Sequence, residues 1–218
     1  FSSPKGHTVR VALPEDDVEK MEAGYSLPRV QFDHLLFDEC QKHVRDAGGF
    51  VIQGGDVKSV LFDDGKGGED PGKGSKDSRH ASGITVQIGG KKGEELSFYS
   101  KEIIGAGGYR CPVARALVED TYEETMVDRS HYCGGYREYW SNVKGCTESS
   151  GDIEIHFVDS VVPGYFWLFP VSEGVVNVGI GMVMSLMDKQ KKKLKAMQKD
   201  VIANHPLFKE RFADAEMV

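Results

Sequence analysis

Apolar and polar residues alternate most clearly around residues 165–169, where the pattern predicts a β-strand. Tyr165, Trp167 and Phe169 are spaced two residues apart, so their rings share one face of the strand. Such a face suits either of two roles. It packs into a hydrophobic core, as large apolar side chains often do, or it forms the wall of a pocket for a flat or apolar ligand. The alternation alone leaves both roles open.

A turn and a second strand follow these aromatic residues. Pro170 has no backbone N–H to donate to a neighbouring strand and is therefore predicted to end the first strand. Residues 172–174 favour a turn. A valine-rich run then predicts a strand that finishes at Gly179 and Gly181, where the missing side chains allow a close approach to the backbone.

Hydrophobic periodicity predicts a mixture of strands and helices in the rest of the chain. Further strands are predicted at residues 8–13, 25–31, 50–52, 57–62, 84–88, 96–104 and 153–158. Helices are predicted at residues 112–117, at 188–204, and at 33–47 with Asp33 as its N-cap. The strand, helix and strand within residues 25–62 are compatible with parallel pairing.

Two glycine-rich segments differ in what they predict. Residues 63–83 contain almost no apolar side chain and are predicted to form a flexible insertion loop, without the spacing of a phosphate-binding loop. Residues 105–108 instead follow a predicted strand and precede a helix with Pro112 in its first turn. Backbone N–H groups in such a turn suit a phosphate or a ring oxygen. A plain tight turn is the alternative.

Composition narrows the classes of function. The 218 residues carry a net charge of −7, which argues against a broad nucleic-acid surface. No apolar run approaches the roughly 20 residues of a membrane span. The four cysteines contain no C-x-x-C pair, no metal site is predicted, and free thiols are favoured over a bridge between Cys133 and Cys146. A cytoplasmic location is expected. Six lysines within residues 189–199 predict a solvated helix face, with contact to the inner face of an anionic membrane as the alternative.

Taken together, the motifs resemble one family. The signature Y-x-W-x-F-P, eight residues and then G-x-G resembles that of the geranylgeranyl reductase family of flavoproteins. Its six fixed positions are matched by Tyr165, Trp167, Phe169, Pro170, Gly179 and Gly181. Further segments resemble the family in the same order along the chain: residues 29–36, 104–108, 137–140 and 206–212.

The resemblance implies a fold like that of p-hydroxybenzoate hydroxylase, of the α+β and α/β classes. A large, mostly antiparallel sheet would cover the substrate, beside a mostly parallel sheet that binds FAD. Residues 26–62 and 84–118 would form part of the FAD-binding domain, and residues 63–83 the insertion loop. Residues 1–25 and 119–205 would form the substrate-binding domain. Residues 206–218 would begin the return to the FAD domain.

The chain also departs from the family pattern. The first dinucleotide motif, G-x-G-x-x-G, is absent, and the G-D-A-A-G segment is expected beyond residue 218. The chain is therefore expected to be the middle of a longer protein, and residues 1–218 alone are expected to be inactive. Gly107 stands where the family places aspartate, and Cys111 where serine is usual.

The resemblance implies reduction of carbon–carbon double bonds in a prenyl chain by hydride transfer from reduced FAD. Expected substrates are a prenyl lipid, a quinone or a tetrapyrrole, with NADPH or ferredoxin as electron donors. Tyr165 and Trp167 are the catalytic candidates, and the phenol of Tyr165 is a candidate proton donor, although phenols are weak acids. The predicted substrate-binding residues are Tyr165, Trp167, Phe169, Pro170, Gly179 and Gly181. The predicted cofactor-binding residues are Arg29, Val57, Gly105, Ala106, Gly107 and Gly108.

Two alternatives remain open beside this prediction. A flavin monooxygenase or halogenase on the same fold would use the same cofactor on another reaction. Outside enzymology, residues 1–218 would act as a catalytically silent module that binds a prenyl lipid.

Overall fold

A computed structural model describes residues 1–15, 26–63, 80–128, 130–147, 152–172, 174–191 and 193–218. The chain divides into two compact units. The first unit contains residues 1–40 and 129–218, and the second contains residues 41–128. These bounds differ from the predicted domains, because residues 26–40 group with the first unit and 119–128 with the second. Which unit binds a cofactor stays a prediction.

The first long element is helix α1 (Arg29–Asp46). It begins directly after Pro28, so the predicted strand over residues 25–31 is wrong where the structure describes it. Asp33 lies inside this helix rather than at its N-cap, and it accepts hydrogen bonds from Arg29 one turn earlier at 2.9 and 3.1 Å. A proline favours the residues that follow it for a first helical turn, which places the start four residues before the expected cap.

The second unit is built on a sheet of three antiparallel strands in the order β1–β2–β3. Its elements are β1 (Gly55–Asp63), β2 (His80–Ile88), β3 (Glu94–Tyr99), a 3-10 helix (Gly108–Arg110), α2 (Pro112–Arg115) and a π-helix (Ala116–Thr121). The predicted parallel pairing is wrong for β1, whose partner β2 runs antiparallel to it, and residues 50–52 do not form a strand.

The predicted insertion loop is shorter than expected at both ends. Asp63 belongs to β1, and residues 80–83 belong to β2, where they pair with residues 61–63. The middle of the predicted loop, residues 64–79, lies outside the described residues. Short-range antiparallel pairing thus extends into a segment whose composition alone indicated a loop.

The first unit contains a sheet of five strands in the order β5–β6–β7–β4–β8, with antiparallel pairing throughout. Its strands are β4 (Cys133–Ser141), β5 (Glu154–His156), β6 (Tyr165–Ser172), β7 (Val175–Val183) and β8 (Glu216–Met217). This sheet confirms the predicted mostly antiparallel sheet. Strand β6 continues past Pro170 to Ser172, so proline does not end it; a shift of register between these two residues accommodates the missing donor.

Three helices lie between β7 and β8 along the chain: α3 (Met184–Gln190), α4 (Leu194–Asn204) and α5 (Pro206–Lys209). The predicted helix over residues 188–204 is therefore two helices, separated where Lys191 adopts a left-handed conformation (φ 50°). Within the described ranges, no helix is both long and apolar enough to cross a membrane. Contact between the lysine-rich segment and a membrane surface stays a prediction.

One face of the five-stranded sheet carries the core of the first unit. Phe166 and Leu168 of β6 are fully buried there, against α4 and the segment that follows it. The buried cluster consists of Val143, Cys146, Val158, Val161, Phe166, Leu168, Val176, Val178, Ile180, Met182, Leu194, Met197, Val201, Phe208 and Phe212. The opposite face of the sheet is thereby left for a different role.

A polar network fixes the edge of this core. Arg211 donates two hydrogen bonds to Glu154 at 2.6 and 2.7 Å, and His156 Nε2 lies 2.9 Å from the same carboxylate. Ser2 Oγ lies 2.6 Å from Nδ1 of His156, which ties the first residues of the chain to β5. Burial alone would raise the pKa of Glu154, but the hydrogen bonds and charges of Arg211 and His156 outweigh it and lower that pKa to about 2. The predicted strand over residues 8–13 is not formed; Thr8 makes only an isolated bridge to Ser2.

Candidate functional site

The aromatic residues of β6 lie on the face of the sheet that is opposite the core. The burial pattern of the strand alternates, with Phe166 and Leu168 at 0% exposure and Tyr165 at 42%. Trp167 and Phe169 are half-buried. A strand with apolar residues at both parities has two apolar faces, and only one of them belongs to this core. The three aromatic rings therefore form an accessible surface rather than the core that the alternation also allowed.

A strip of glycine backbone runs beside these rings. In the pairing of β6 with β7, Trp167 lies opposite Gly179 and Tyr165 opposite Gly181. In the pairing of β7 with β4, Gly181 lies opposite Gly135. The same face of the sheet therefore holds three positions without side chains next to three aromatic rings. We call the surface formed by Trp167, Phe169 and these three glycines the aromatic platform.

The indole of Trp167 lies flat over Gly179. A Cβ atom built on Gly179 would fall 2.0 Å from Cζ2 and 2.3 Å from Cε2 of that ring, far inside any real contact. The site of Gly179 is thus filled by the indole. A Cβ on Gly181 would instead meet its nearest atoms at 3.6 and 3.7 Å, which is ordinary contact. The two glycines of the signature consequently have different roles: the first admits the indole, and the second leaves the surface open.

Neighbouring side chains set the orientation of the indole. Its Nε1 donates a hydrogen bond of 3.1 Å to Oδ1 of Asn177. The ring of Phe169 stacks beside it at 6.1 Å with an interplanar angle of 26°, while Tyr165 is tilted by 54° at 5.8 Å. The platform is therefore nearly planar over two rings and bounded by a third. Such a surface suits a flat ring or an extended apolar chain.

A pocket of about 230 Å³ lies at one end of the platform. Its lining includes Tyr165, Trp167, Gly181 and Gly135, together with Cys133 and Pro163. The pocket is thus walled by aromatic and small residues, and the charged side chains of the sheet lie elsewhere. A pocket of this character binds by excluding water from apolar groups rather than by charge.

A cationic residue borders the platform on β4. Arg137 pairs with Gly179 in the register of the sheet, so its position falls in line with Trp167. Its guanidinium donates a hydrogen bond to the hydroxyl of Tyr139 and lies 5.2 Å from the centre of that ring. The site therefore changes from apolar to cationic across the width of one strand.

The other predicted substrate residue, Pro170, has the opposite parity. It pairs with Val176, whose side chain is fully buried in the core. Its predicted contact with substrate stays a prediction that this register does not favour. The proline instead marks the place where the aromatic face of β6 ends.

Of the predicted cofactor residues, Arg29 belongs to the first unit and Val57 to the second. The side chain of Arg29 is 62% exposed and forms an ion pair with Asp33 across one turn of α1. Val57 lies in β1, half-buried, opposite Val86. An exposed guanidinium is a kind of group that binds phosphate oxygens. Contact of either residue with a cofactor stays a prediction.

The glycine turn of residues 105–108 lies in the second unit and is exposed along its length. A Cβ on Gly105 would fall 2.8 Å from Cβ of Val113 and 3.0 Å from Sγ of Cys111, so this glycine is required by packing within the turn. Gly108 has a φ of 69° and nothing within 4 Å of its missing side chain. An open glycine turn of this kind can accommodate a phosphate or a ring oxygen of FAD. Its role as a cofactor contact stays a prediction.

The buried thiol of Cys111 lies beneath this turn. Nearby backbone N–H groups, that of Ala114 foremost, lower the pKa of Cys111 below its ordinary value. The thiol of Cys111, which stands where serine is usual, therefore interacts with the backbone of the turn.

The reasoning from sequence missed two residues of the site: Gly135 in the platform and Asn177 beside it. The sequence could have indicated Asn177, because it lies two residues before Gly179 in a predicted strand and therefore shares its face. Gly135 had no such signal, since its place beside Gly181 depends on pairing between strands that are about forty residues apart. Local periodicity carries no information on that pairing.

Comparisons with known proteins agree with this geometry. Residues 131–216, which include β4, β6 and β7, match the family model of the geranylgeranyl reductase catalytic domain. The chain is 26% identical over 160 residues to a menaquinone reductase of Mycobacterium tuberculosis, covering 72% of the chain and 32% of that relative. It is 27% identical over 197 residues to a digeranylgeranylglycerophospholipid reductase of Methanosarcina mazei, covering 87% of the chain and 39% of that relative. The chain thus spans about a third of the length of these relatives.

Solved structures share the fold at low identity. A geranylgeranyl bacteriochlorophyll reductase-like protein of Thermoplasma acidophilum superposes with a TM-score of 0.54 at 19% identity, over 80% of this chain and 37% of that one. A myxobacterial chondrochloren halogenase, described as FAD-dependent, superposes with a TM-score of 0.60 at 22% identity, over 89% and 38%. These neighbours agree with the predicted p-hydroxybenzoate hydroxylase-like fold. The predicted resemblance to the geranylgeranyl reductase family is confirmed, with residues 131–216 matching the model of that family's catalytic domain.

Proposed function

We propose that the protein is an FAD-dependent oxidoreductase that reduces carbon–carbon double bonds of a prenyl chain. The observation that carries this proposal is the aromatic platform inside the matched catalytic domain, where Trp167 lies over a glycine strip and Phe169 stacks beside it. A prenyl chain is a row of apolar, planar alkene units. A flat apolar surface with an adjoining apolar pocket is complementary to it in shape and polarity.

The residues of the platform act by binding, orienting and excluding water. An isolated alkene has little charge to polarise, so the alignment of the reacting bond and the dryness of the site dominate the rate. Trp167 and Phe169 supply the flat contact, and Gly181 with Gly135 lets the chain approach the backbone. Tyr165, at the mouth of the pocket, is the candidate donor of the proton that completes the reduction.

FAD in its reduced form, when bound, supplies the hydride. Arg29, Val57 and residues 105–108 are the positions proposed to contact it. NADPH and ferredoxin are both candidate sources of electrons. The relatives are a menaquinone reductase and a digeranylgeranylglycerophospholipid reductase, which indicates two substrate classes that each carry a prenyl chain. We therefore propose a prenyl-bearing lipid or quinone as the substrate, with a tetrapyrrole as the third class.

The test is Trp167→Ala in the whole FAD-loaded protein, with chemically reduced flavin and a geranylgeranyl lipid as substrate. Each double bond reduced adds two mass units to the product, which mass spectrometry counts directly. Removal of the indole takes away the largest flat contact, and we expect prenyl reduction to fall by at least about tenfold, equivalent to about 1.4 kcal/mol. The control is Trp140→Phe, which changes the other tryptophan on the core side of the sheet and should preserve the rate.

Two outcomes would oppose the proposal. Wild-type prenyl reduction by Trp167→Ala with FAD bound would show that the platform does not hold the reacting chain. Formation of a hydroxylated or halogenated product with consumption of oxygen, and no reduced prenyl chain, would assign the chemistry to the monooxygenase or halogenase class instead.

A further inference from the structure

We infer that Asn177 is a positioning residue that holds the indole of Trp167 flat on the glycine strip and so keeps the platform in its binding shape. The inference rests on the proposed function for its consequence in catalysis. Its structural part, the restraint of one indole by one amide, stands on the geometry alone.

Asn177 is placed for this role by the register of three strands. It lies opposite Phe169 of β6 and opposite Tyr139 of β4, and it has the same parity as Gly179 two residues later. Its side chain therefore belongs to the face of the sheet that carries the platform. From this position its Oδ1 accepts the hydrogen bond of Trp167 Nε1 at 3.1 Å.

The hydrogen bond fixes the orientation of the indole, which packing against Gly179 leaves free. Gly179 allows the indole to lie on the backbone but offers no side chain that could hold it there. An indole has a single polar group, the Nε1–H donor. One acceptor at a fixed place therefore determines the direction of the Nε1 edge and, with it, that of the benzene edge. With Nε1 directed to Asn177, the benzene edge of the ring is directed toward Gly181 and Gly135, where a Cβ on either glycine would lie 3.7 and 3.9 Å from it.

The consequence falls on the shape of the pocket. Trp167, Gly181 and Gly135 all line the pocket of about 230 Å³. A rotated or lifted indole would move the wall of that pocket while leaving its apolar character unchanged. A substrate chain would still bind, but its reacting bond would be poorly aligned, so the loss should appear in kcat more than in KM.

The other tryptophan provides an internal reference. Trp140 has the opposite parity on β4, packs edge-on against Phe212 at 5.5 Å, and donates its Nε1–H to Glu138 at 3.3 Å. Its indole is held by core packing and by a separate acceptor. A change at Asn177 should therefore leave the Trp140 signal in place, which makes the experiment self-controlled.

The variants are Asn177→Leu, which removes the acceptor, and Asn177→Asp, which keeps an acceptor oxygen at the same reach. In nitrogen–proton correlation spectra of the whole protein, the indole signals of the 2 tryptophans of residues 1–218 are assigned with Trp140→Phe and Trp167→Ala. In Asn177→Leu we expect the Trp167 indole proton to shift upfield and to exchange with water about fivefold faster, as the loss of one ordinary hydrogen bond implies. Asn177→Asp should restore slow exchange.

The kinetic arm uses prenyl reduction by the FAD-loaded protein. We expect kcat of Asn177→Leu to fall about fivefold with KM changed less than about twofold, and Asn177→Asp to recover most of the rate. Asn204→Leu, which removes an exposed amide that donates to Asp200 on α4, is the matched control and should leave both signals and the rate unchanged.

Each result decides the inference. An unchanged Trp167 indole signal and exchange rate in Asn177→Leu would overturn it, as would a wild-type kcat in a variant whose indole is released. A released indole with lower kcat, both reversed in Asn177→Asp, would establish it. Failure of the proposed function is seen separately, because the wild type would then form no reduced prenyl chain, or Trp167→Ala would keep full activity, while the exchange measurement still reports on Asn177.

Discussion

Replacement of Gly179 by alanine should destabilise the first unit, whereas the same change at Gly181 should not. The two glycines lie on one strand, share one parity and belong to one sequence signature. The structure nevertheless gives them different surroundings. A methyl group at residue 179 would collide with the indole, whereas one at residue 181 would clear it, so the comparison tests the position of the indole.

The magnitude follows from the distances. The new methyl at residue 179 would lie 2.0 Å from Cζ2 of Trp167, so the ring must retreat by roughly 1.5 Å to reach an ordinary carbon–carbon contact of about 3.5 Å. That movement stretches the 3.1 Å hydrogen bond to Asn177. Overpacking costs about 1–3 kcal/mol and the lost hydrogen bond about 1 kcal/mol, while alanine regains about 0.5–1 kcal/mol of backbone entropy. We expect a net destabilisation of about 1–3 kcal/mol for Gly179→Ala.

For Gly181→Ala the nearest atoms lie at 3.6 and 3.7 Å, so the methyl fits without movement. We expect its free energy of unfolding to equal the wild-type value or to exceed it by up to about 1 kcal/mol, because alanine restricts the unfolded chain. The methyl would nevertheless enter the pocket, so prenyl reduction should slow in this variant despite its intact stability.

Urea unfolding followed by tryptophan emission measures both changes, since Trp140 and Trp167 both lie in the first unit. A lower midpoint for Gly179→Ala than for Gly181→Ala, with equal slopes, is the expected result. The reasoning would be refuted if Gly179→Ala unfolded at the same midpoint as Gly181→Ala with an unchanged Trp167 indole signal. In that case the indole would not lie on Gly179.

Two further predictions concern charge and thiol reactivity. Because the folded pKa of Glu154 is lowered from 4.5 to about 2, its ion pair with Arg211 should contribute about 2–4 kcal/mol that is fully present above about pH 4.5 and is lost as the pH falls toward 2. Unfolding free energies between pH 2 and 6 should therefore depend less steeply on pH in Glu154→Gln than in the wild type, and equal slopes would disprove the assignment. Burial raises the pKa of the Cys146 thiol to about 12, and Cys111 is only 4% exposed although its pKa is lowered. Of the four cysteines in residues 1–218, the exposed Cys40 and Cys133 should therefore react with a thiol reagent in the native protein, and all four should react in urea. Fast modification of Cys111 or Cys146 before unfolding, located by peptide mass spectrometry, would contradict this.

The pH prediction has a structural corollary at the start of the chain. Ser2 is held by His156, which in turn contacts Glu154. Protonation of Glu154 takes away the negative charge that both His156 and Arg211 contact, so the support of His156 for Ser2 should weaken, while the backbone hydrogen bonds of Ser2 with Ile155 and Phe157 remain.

Local pattern was sufficient for the elements whose partners lie close in sequence. The period of two placed Tyr165, Trp167 and Phe169 on one face, and the structure agrees. The helix that begins at Pro112 also agrees, because a proline at the first turn is a local signal. Failures occurred where pairing between strands decided the outcome, as at Pro170, where the hairpin with β7 carries the strand past a residue that should end it.

For the candidate site, the sequence by itself determined which residues share a face and how the two glycines of the signature are spaced. The tertiary structure alone decided which face is open. Strand β6 has apolar residues at both its odd and its even positions, so its sequence pattern does not indicate which face packs into the core. The two faces become different only in the tertiary structure, where Phe208 and helix α4 pack onto Phe166 and Leu168. Phe208 lies about forty residues and α4 about thirty residues farther along the chain. The same long-range pairing brings Gly135 and Asn177 to the platform, because the register between strands is set by contacts that no local period encodes.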